Sequence, residues 1–102
     1  MTHKEPGPLS EIDRLIHEPA RLLIVAILSE VKEADYLYIQ QETGLTKGNL
    51  SSHLDKLEKA GYIEIEKAFR GKIPLTILRI ARRGSVAFKA YRNQMGALLN
   101  GR

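Results

Sequence analysis

The strongest constraint on the fold lies in residues 45–72, where a helical pattern passes directly into a strand pattern. Leu50, Leu54 and Leu57 are spaced by four and three residues, which places them on one face of an amphipathic helix with a polar outer face. From Tyr62 the alternation changes to a period of two, as expected of a half-exposed strand. The sequence therefore predicts a helix over about 46–60 followed by a strand.

The N-terminal part predicts a tail and two helices. Residues 1–9 contain Pro-Gly-Pro and are expected to be flexible. Ser10 is a plausible N-cap of a short helix that carries the first apolar stripe. Proline is favoured in the first turn of a helix, so Pro19 predicts a second helix that runs to about Val31. Its continuously apolar centre, residues 22–28, indicates a central core helix.

The segment before the leucine-bearing helix is shorter and less regular. It predicts a brief strand at Tyr36-Leu37, then a short helix that turns Leu37 and Ile39 inward and ends at Gly44. Glycine suits this end because it accepts a positive φ. Thr46 is a good N-cap for the helix that follows.

The C-terminal part predicts a hairpin and a long helix. Two strands over about 62–80 are joined at Arg70-Gly71-Lys72, and a last helix covers about 82–100. The whole order predicts a mainly α fold with a small β-hairpin, of the α+β class. One domain over residues 10–100 accommodates it, with helical extensions at both termini.

Charge and composition narrow the function. Residues 1–45 carry a net charge of −4 and residues 46–102 a net charge of +8, so the total of +4 conceals a basic C-terminal half. This asymmetry favours a polyanionic partner. The chain has no cysteine, which excludes disulfides and thiolate metal sites. No apolar run approaches the roughly 20 residues of a membrane span, and residues 1–8 lack the apolar centre of a signal peptide, so a cytoplasmic protein is expected.

An enzyme is poorly supported. The sequence offers no nucleophile–base pair, no metal-ligand set and no glycine-rich phosphate loop, so neither a cofactor nor a metal is expected.

The polar face of helix 46–60 and the basic turn of the hairpin are the candidate DNA-binding surface. A helix can lie in the major groove while a hairpin holds the backbone. Asn49 could pair with adenine and Lys47 with guanine, whereas the serines suit phosphate. For Arg70, insertion into the minor groove, phosphate contact and free solvent remain open. The candidate residues are Thr46, Lys47, Gly48, Asn49, Ser51, Ser52, His53, Lys56, Lys67, Arg70 and Lys72.

Two of these candidates have other readings. Gly48 weakens a helix by about 1 kcal/mol relative to alanine, which indicates either close approach to DNA or a weak first turn. His53 has no histidine partner for catalysis or metal binding, so it is expected to bond to phosphate or to a neighbouring helix.

A second apolar stripe lies on the last helix, where spacings of three, four and three indicate core or an interface. Pairing of this helix with the N-terminal stripe of a second subunit predicts a two-fold dimer with recognition helices about one DNA turn apart. The competing interpretation is a monomer. The predicted interface residues are Ile12, Leu15, Ile16, Phe88, Tyr91, Met95 and Leu98.

Four segments resemble the winged-helix transcriptional regulators related to the MarR and ArsR groups. They are His17-Glu18-Pro19-Ala20-Arg21-Leu22, Thr46-Lys47-Gly48-Asn49-Leu50-Ser51-Ser52-His53-Leu54, Leu57-Glu58-Lys59-Ala60-Gly61-Tyr62 and the hairpin over residues 66–76. The resemblance covers roughly residues 12–98. It implies a winged helix-turn-helix fold and a homodimer that binds operator DNA, expected to be palindromic, and controls transcription.

The chain also departs from these regulators. Where they often have Leu-Thr-Pro-Glu-Gly before the last helix, this chain has Ile80-Ala81-Arg82-Arg83-Gly84. Alanine is a poor cap, and two arginines at a helix N-terminus oppose the macrodipole. These arginines are therefore expected either to contact an anionic partner or to lie exposed to solvent. Leu75 replaces a basic residue common near the second wing strand. The cysteine and histidine ligands of metal-sensing relatives are missing.

Two functions remain after this reasoning. The first is a sequence-specific regulator of transcription that binds double-stranded DNA, with a small-molecule effector left open in a pocket between the terminal helices and the core. The alternative is a winged helix that binds protein and leaves its polar face idle. Acidic residues that would repel phosphate favour this alternative: Asp55, Glu58, Glu64 and Glu66.

Overall fold

The computed structural model describes residues 10–101, which form four helices and a three-stranded antiparallel sheet. This arrangement confirms the predicted α+β class. The tail predicted over residues 1–9 lies outside the described part. In chain order the elements are α1 Pro19–Val31, β1 Glu33–Asp35, α2 Tyr36–Thr43, α3 Lys47–Lys59, β2 Ile63–Arg70, β3 Ile73–Ile80 and α4 Arg82–Leu99.

Helix α1 begins where the proline predicted. Glu18 is the N-cap, and its carboxylate accepts a hydrogen bond of 2.8 Å from the backbone N–H of Arg21. Ile24, Val25 and Leu28 are fully buried, so α1 forms the centre of the main core.

Strand β1 corrects the prediction of a strand at Tyr36-Leu37. It lies three residues earlier, in the polar stretch Glu33–Asp35, and pairs with β3. These three residues show no alternation of apolar and polar side chains. They form a strand because they pair with the open edge of β3, which lies far along the chain, so no local pattern indicates it. Asp35 then caps α2 by accepting a hydrogen bond from Tyr38 N–H.

Helix α2 buries Ile39 as predicted, but Leu37 is 65% exposed. Because the helix starts at Tyr36, its inner face follows positions 36, 39, 40 and 43, and Leu37 falls on the outer face. Gly44 ends the helix with a φ of 72°.

The turn into α3 also agrees with the prediction. Thr46 accepts a hydrogen bond of 3.1 Å from Asn49 N–H, and the three leucines of α3 are buried in the core.

The hairpin of β2 and β3 is the wing, defined as residues 63–80. Its strands pair from Ile63 with Ile80 out to Arg70 with Ile73, and Gly71 in the turn has a φ of 64°. Pro74 is tolerated in β3 because β1 does not reach it, so its missing N–H interrupts no ladder there.

The N-terminal segment, residues 10–18, corrects a second prediction. It forms turns rather than an α-helix capped by Ser10. Asp13 Oδ1 accepts hydrogen bonds from Leu15 N–H at 2.9 Å and Ile16 N–H at 3.1 Å, which organises the turn. Its other oxygen accepts a hydrogen bond from the Tyr62 hydroxyl. Burial and then the bond to Asp13 raise the pKa of Tyr62 to about 12, so the hydroxyl remains a donor at neutral pH.

Helix α4 packs over this segment. Ile12, Ile16 and Tyr91 form a second buried cluster, and the Tyr91 hydroxyl lies 2.9 Å from His17 Nδ1. No helix within residues 10–101 is long and apolar enough to cross a membrane.

Candidate nucleic-acid interface

The outer face of α3 presents the predicted polar residues together. The residues at positions 47, 48, 49, 51, 52 and 56 are all exposed, because the three leucines turn the opposite face into the core. The Thr46 oxygen accepts the Asn49 amide, but the Thr46 hydroxyl proton is still available for an anion at this helix N-terminus. The first two turns of α3 therefore offer donors and acceptors to a major groove.

Tyr36 braces this part of α3 and was missed by the sequence reasoning. Its hydroxyl donates to the Lys47 carbonyl oxygen at 2.8 Å. The Ser51 hydroxyl lies 2.9 Å away and donates in turn, since the Tyr36 proton is already used. The only sequence signal was Asp35 as an N-cap, which would have placed Tyr36 in the first turn of α2.

His53 faces α1 rather than the exposed side of α3. Its side chain is 19% exposed, and Nδ1 lies 3.1 Å from Arg21 Nη1. Arginine can only donate, so Nδ1 is the unprotonated nitrogen. The structure thus shows the bond to a neighbouring helix and not the outward position expected of a DNA contact.

Glu18 closes this inner contact. Its Oε1 lies 3.9 Å from His53 Nδ1. Burial raises the pKa of Glu18, whereas the hydrogen bond from the Arg21 backbone N–H and the charge of Arg21 act in the opposite direction, and the net effect is a lowered pKa. Glu18 therefore remains an anion that fixes the start of α1 beside α3.

An open groove of about 450 Å³ separates α3 from the wing. Lys47 lines one wall and Lys67 the other, and Lys67 Nζ donates to Thr76 Oγ1 at 3.1 Å. The groove thus places cations on both sides of a space that is open to solvent. Its lining residues are Asp35, Tyr36, Leu37, Gln40, Lys47, Ser51, Lys67, Pro74, Leu75 and Thr76.

The tip of the wing carries two further cations. Arg70 and Lys72 are exposed on either side of Gly71, as the turn predicted. Lys56 extends the basic surface along α3.

Two of the acidic residues that favoured a protein-binding role are neutralised by neighbours. Asp55 forms an ion pair of 3.0 Å with Lys59, and Glu66 forms one of 2.7 Å with Arg79. Arg79 also binds Glu33 at 2.7 Å, and the hydrogen bonds to Glu66 and Glu33 raise the pKa of Arg79. Glu58 and Glu64 remain exposed.

Of the two arginines at the start of α4, Arg83 lies against the end of α3. Ala81 makes no capping hydrogen bond, as its side chain predicts. The Arg83 side chain lies over Gly61, with Cδ 3.5 Å from where a Cβ would stand. A cation at this C-terminal end of α3 complements the helix dipole. By the helix rise, Lys47 lies roughly 18 Å away at the other end of α3.

The residues predicted for a dimer interface are packed largely within one chain. Ile12, Ile16 and Tyr91 are at most 6% exposed and leave little surface for a second subunit. Leu15, Phe88, Met95 and Leu98 are partly buried against the two core clusters. The predicted interface residues are apolar, but many of them pack against one another within the same chain, where the N-terminal segment covers α4.

Comparison with known proteins agrees with this architecture. The family model described as winged helix DNA-binding domain matches residues 20–99. An uncharacterized protein of Methanocaldococcus jannaschii is 35% identical over 79 residues, which cover 76% of this chain and 85% of that protein.

Solved structures show the same fold. A transcriptional regulator homologue from Pyrococcus horikoshii is 30% identical and has a TM-score of 0.87, covering 92% of this chain and 95% of its own. A PadR family transcriptional regulator from Eggerthella lenta is 19% identical and has a TM-score of 0.67, with 85% and 84% covered. The chain belongs to the winged helix DNA-binding domain family, as its resemblance to winged-helix regulators indicated. It is a DNA-binding protein and not an enzyme.

Proposed function

We propose that this protein regulates transcription as a homodimer that recognises a specific sequence of double-stranded DNA. The N-terminal half of α3 enters the major groove, and the wing holds the adjoining backbone. The observation that carries the proposal is the groove between α3 and the wing, where Lys47 and Lys67 face a common open space.

Base recognition rests on the short, exposed side chains of the first two turns of α3. Asn49 has the amide geometry for a bidentate contact with adenine, and Lys47 suits guanine O6 and N7. The side chains of Ser51 and Ser52 are short, so the helix must lie deep in the groove for them to reach DNA. Ser52 can then donate to a phosphate, whereas Ser51, whose proton is held by Tyr36, can only accept from a base. Tyr36 supports this arrangement by fixing the first turn.

A protein-binding winged helix is less well supported. Asp55 and Glu66, two of the four acids behind that alternative, are paired with cations on their own chain. The exposed cations of the wing tip, Arg70 and Lys72, suit a polyanion better than a neutral protein surface.

The dimer is supported by the outer surface of α4. Leu99 is 77% exposed and Val86 is 61% exposed on a helix of 18 residues. Val86 and Leu99 lie on different sides of α4, so pairing of two such helices through their C-terminal ends about a two-fold axis would cover Leu99 and set two copies of α3 on a palindromic operator.

We propose no effector. The space between the N-terminal segment and α4, where the sequence left room for one, is filled by Ile12, Ile16 and Tyr91. A cytoplasmic location accompanies the proposed role on DNA.

Two variants test the separate tasks of helix and wing. Asn49→Ala should relax the preference at one base position by about 1–3 kcal/mol, whereas Arg70→Ala should weaken all duplexes more evenly. Binding to selected and scrambled duplexes measures both effects. Asn93→Ala on α4 is the matched control and should leave binding unchanged. Equal loss on every sequence from Asn49→Ala would contradict its reading role.

A further inference from the structure

The tip of the wing combines exposed apolar side chains with a basic surrounding. Phe69 and Ile73 are 72% and 64% exposed, and Pro74 beside them is exposed as well. The charged side chains of residues 67–72 are all cationic. The preceding acid, Glu66, is held by an arginine of β3. The wing tip therefore exposes apolar side chains to solvent among cations that would attract a polyanion.

The strand register shows which side of the wing carries the aromatic ring. Phe69 is directly opposite Pro74, two residues along from the pair of Lys67 and Thr76. Side chains two residues apart lie on the same face of a strand. Lys67, Thr76 and Pro74 line the groove beside α3, so Phe69 extends that wall towards the tip.

We propose that the Phe69–Pro74 pair is an apolar wedge that opens the minor groove beside the α3 site and bends the duplex. This inference rests on the proposed function, since it requires the wing to lie on DNA. Cations at the tip would hold the phosphates on either side while the ring contacts sugars or enters a base step.

Dimensions support a deforming contact. A minor groove is about 6 Å wide, whereas two strands about 4.8 Å apart with side chains on both faces are wider. A single side chain can enter an unopened groove, but both strands of the tip can enter together only if the groove opens. Proteins that insert phenylalanine, isoleucine or proline between base steps kink the duplex by roughly 20–90°.

Charge selects this occupant over a second copy of the chain. Two identical tips would bring Lys67, Arg70 and Lys72 together with their own copies, and like charges repel. The phosphates that border a minor groove provide the complementary charge.

The test uses the full chain and a duplex of about three helical turns, selected from a random pool, with dyes at its two ends. Energy transfer measures the bend, and a second duplex carries a mismatch at the step beneath the wing. Phe69→Ala removes the wedge and Phe69→Leu retains an apolar side chain. Val31→Ala alters an apolar residue of α1, 41% exposed, as the control.

The wild-type chain and the control should bend the duplex, and Phe69→Leu should retain most of the bend. Phe69→Ala should bind the duplex roughly tenfold more weakly and leave it nearly straight. The mismatch should tighten binding by the wild-type chain more than by Phe69→Ala, because unstacking is then easier.

Two outcomes would overturn the inference: a straight duplex in the wild-type complex, or an equal bend with Phe69→Ala. In both cases the protein still binds DNA, so the proposed function stands. If the wild-type chain binds no duplex even at low salt, both the proposed function and the wedge are wrong.

Discussion

At Gly84 the backbone of α4 meets the backbone that leaves α3. A Cβ at this position would stand 2.1 Å from the Tyr62 carbonyl oxygen, and that oxygen also accepts a hydrogen bond of 2.9 Å from Ala81 N–H. Glycine therefore allows the first turn of α4 to sit against the end of the α3 unit. This is a packing requirement rather than a need for an unusual backbone angle.

Gly84→Ala should destabilise the protein because neither backbone can move independently. The expected loss is about 1–3 kcal/mol in the free energy of unfolding, measured by urea denaturation. Gly96→Ala, on the same helix with nothing within 4 Å of the added Cβ, is the control. It should stabilise by up to about 1 kcal/mol. Equal effects at the two glycines would contradict the close approach.

Single residues also mark where sequence reasoning stopped. His53 was grouped with the outward face of α3 because its neighbours in sequence face outward, yet Arg21 and Glu18 draw it inward. Tyr36 was placed in a strand although it supports α3. Both depend on partners more than ten residues away, which no local pattern encodes.

At the scale of the element, α3 begins with a residue that weakens it. Gly48 is exposed in the first turn, and an added Cβ would meet nothing within 4 Å. The folded chain therefore has room for alanine at this position. Glycine at this position is therefore expected to serve the bound state, where a smooth surface lets the helix approach a base or phosphate closely.

Gly48→Ala should raise stability and lower DNA affinity at the same time. The gain in unfolding free energy is expected to be up to about 1 kcal/mol from helix propensity. Thermal unfolding and duplex binding measure the two quantities, and Asn93→Ala, at an exposed position of α4, serves as the control, with a gain in stability from helix propensity and unchanged binding. Unchanged binding by Gly48→Ala would leave only the weak first turn as its explanation.

The elements differ in how far the sequence predicted them. Helices α1 and α3 followed from a proline, a threonine cap and regularly spaced apolar residues, all of them local signals. Strand β1 did not, because Glu33–Asp35 become a strand only by pairing with β3. The N-terminal segment was predicted as a helix from its apolar spacing, but the side chain of Asp13 organises a turn in its place.

At the scale of the whole molecule, the N-terminal segment joins α1 to α4. Asp13 bonds to Tyr62, His17 to Tyr91, and the Leu15 carbonyl accepts a hydrogen bond of 2.6 Å from Arg21 Nε. These contacts bury residues that the sequence had assigned to a partner subunit. The apolar surface left for a dimer is therefore on the exposed side and end of α4.

Leu99→Glu should convert the dimer to a monomer without unfolding it, since the side chain is 77% exposed in the single chain. A charge there would have to be buried in the assembled dimer, which is costly. Light scattering measures the mass, and circular dichroism checks the fold. Leu37→Glu, at a site 65% exposed on α2, is the control and should leave the mass unchanged. An unchanged mass with Leu99→Glu would place the interface elsewhere.

The central claim is that this chain reads DNA as a dimer. The most direct test is to select binding sites from a random pool of short duplexes at several salt concentrations. A dimer with two recognition helices should enrich a palindrome. Lys67, Arg70 and Lys72 in each of two subunits would neutralise phosphates and give a slope of about −5 for log affinity against log salt. Weak binding with no enriched sequence and a shallow slope would contradict it.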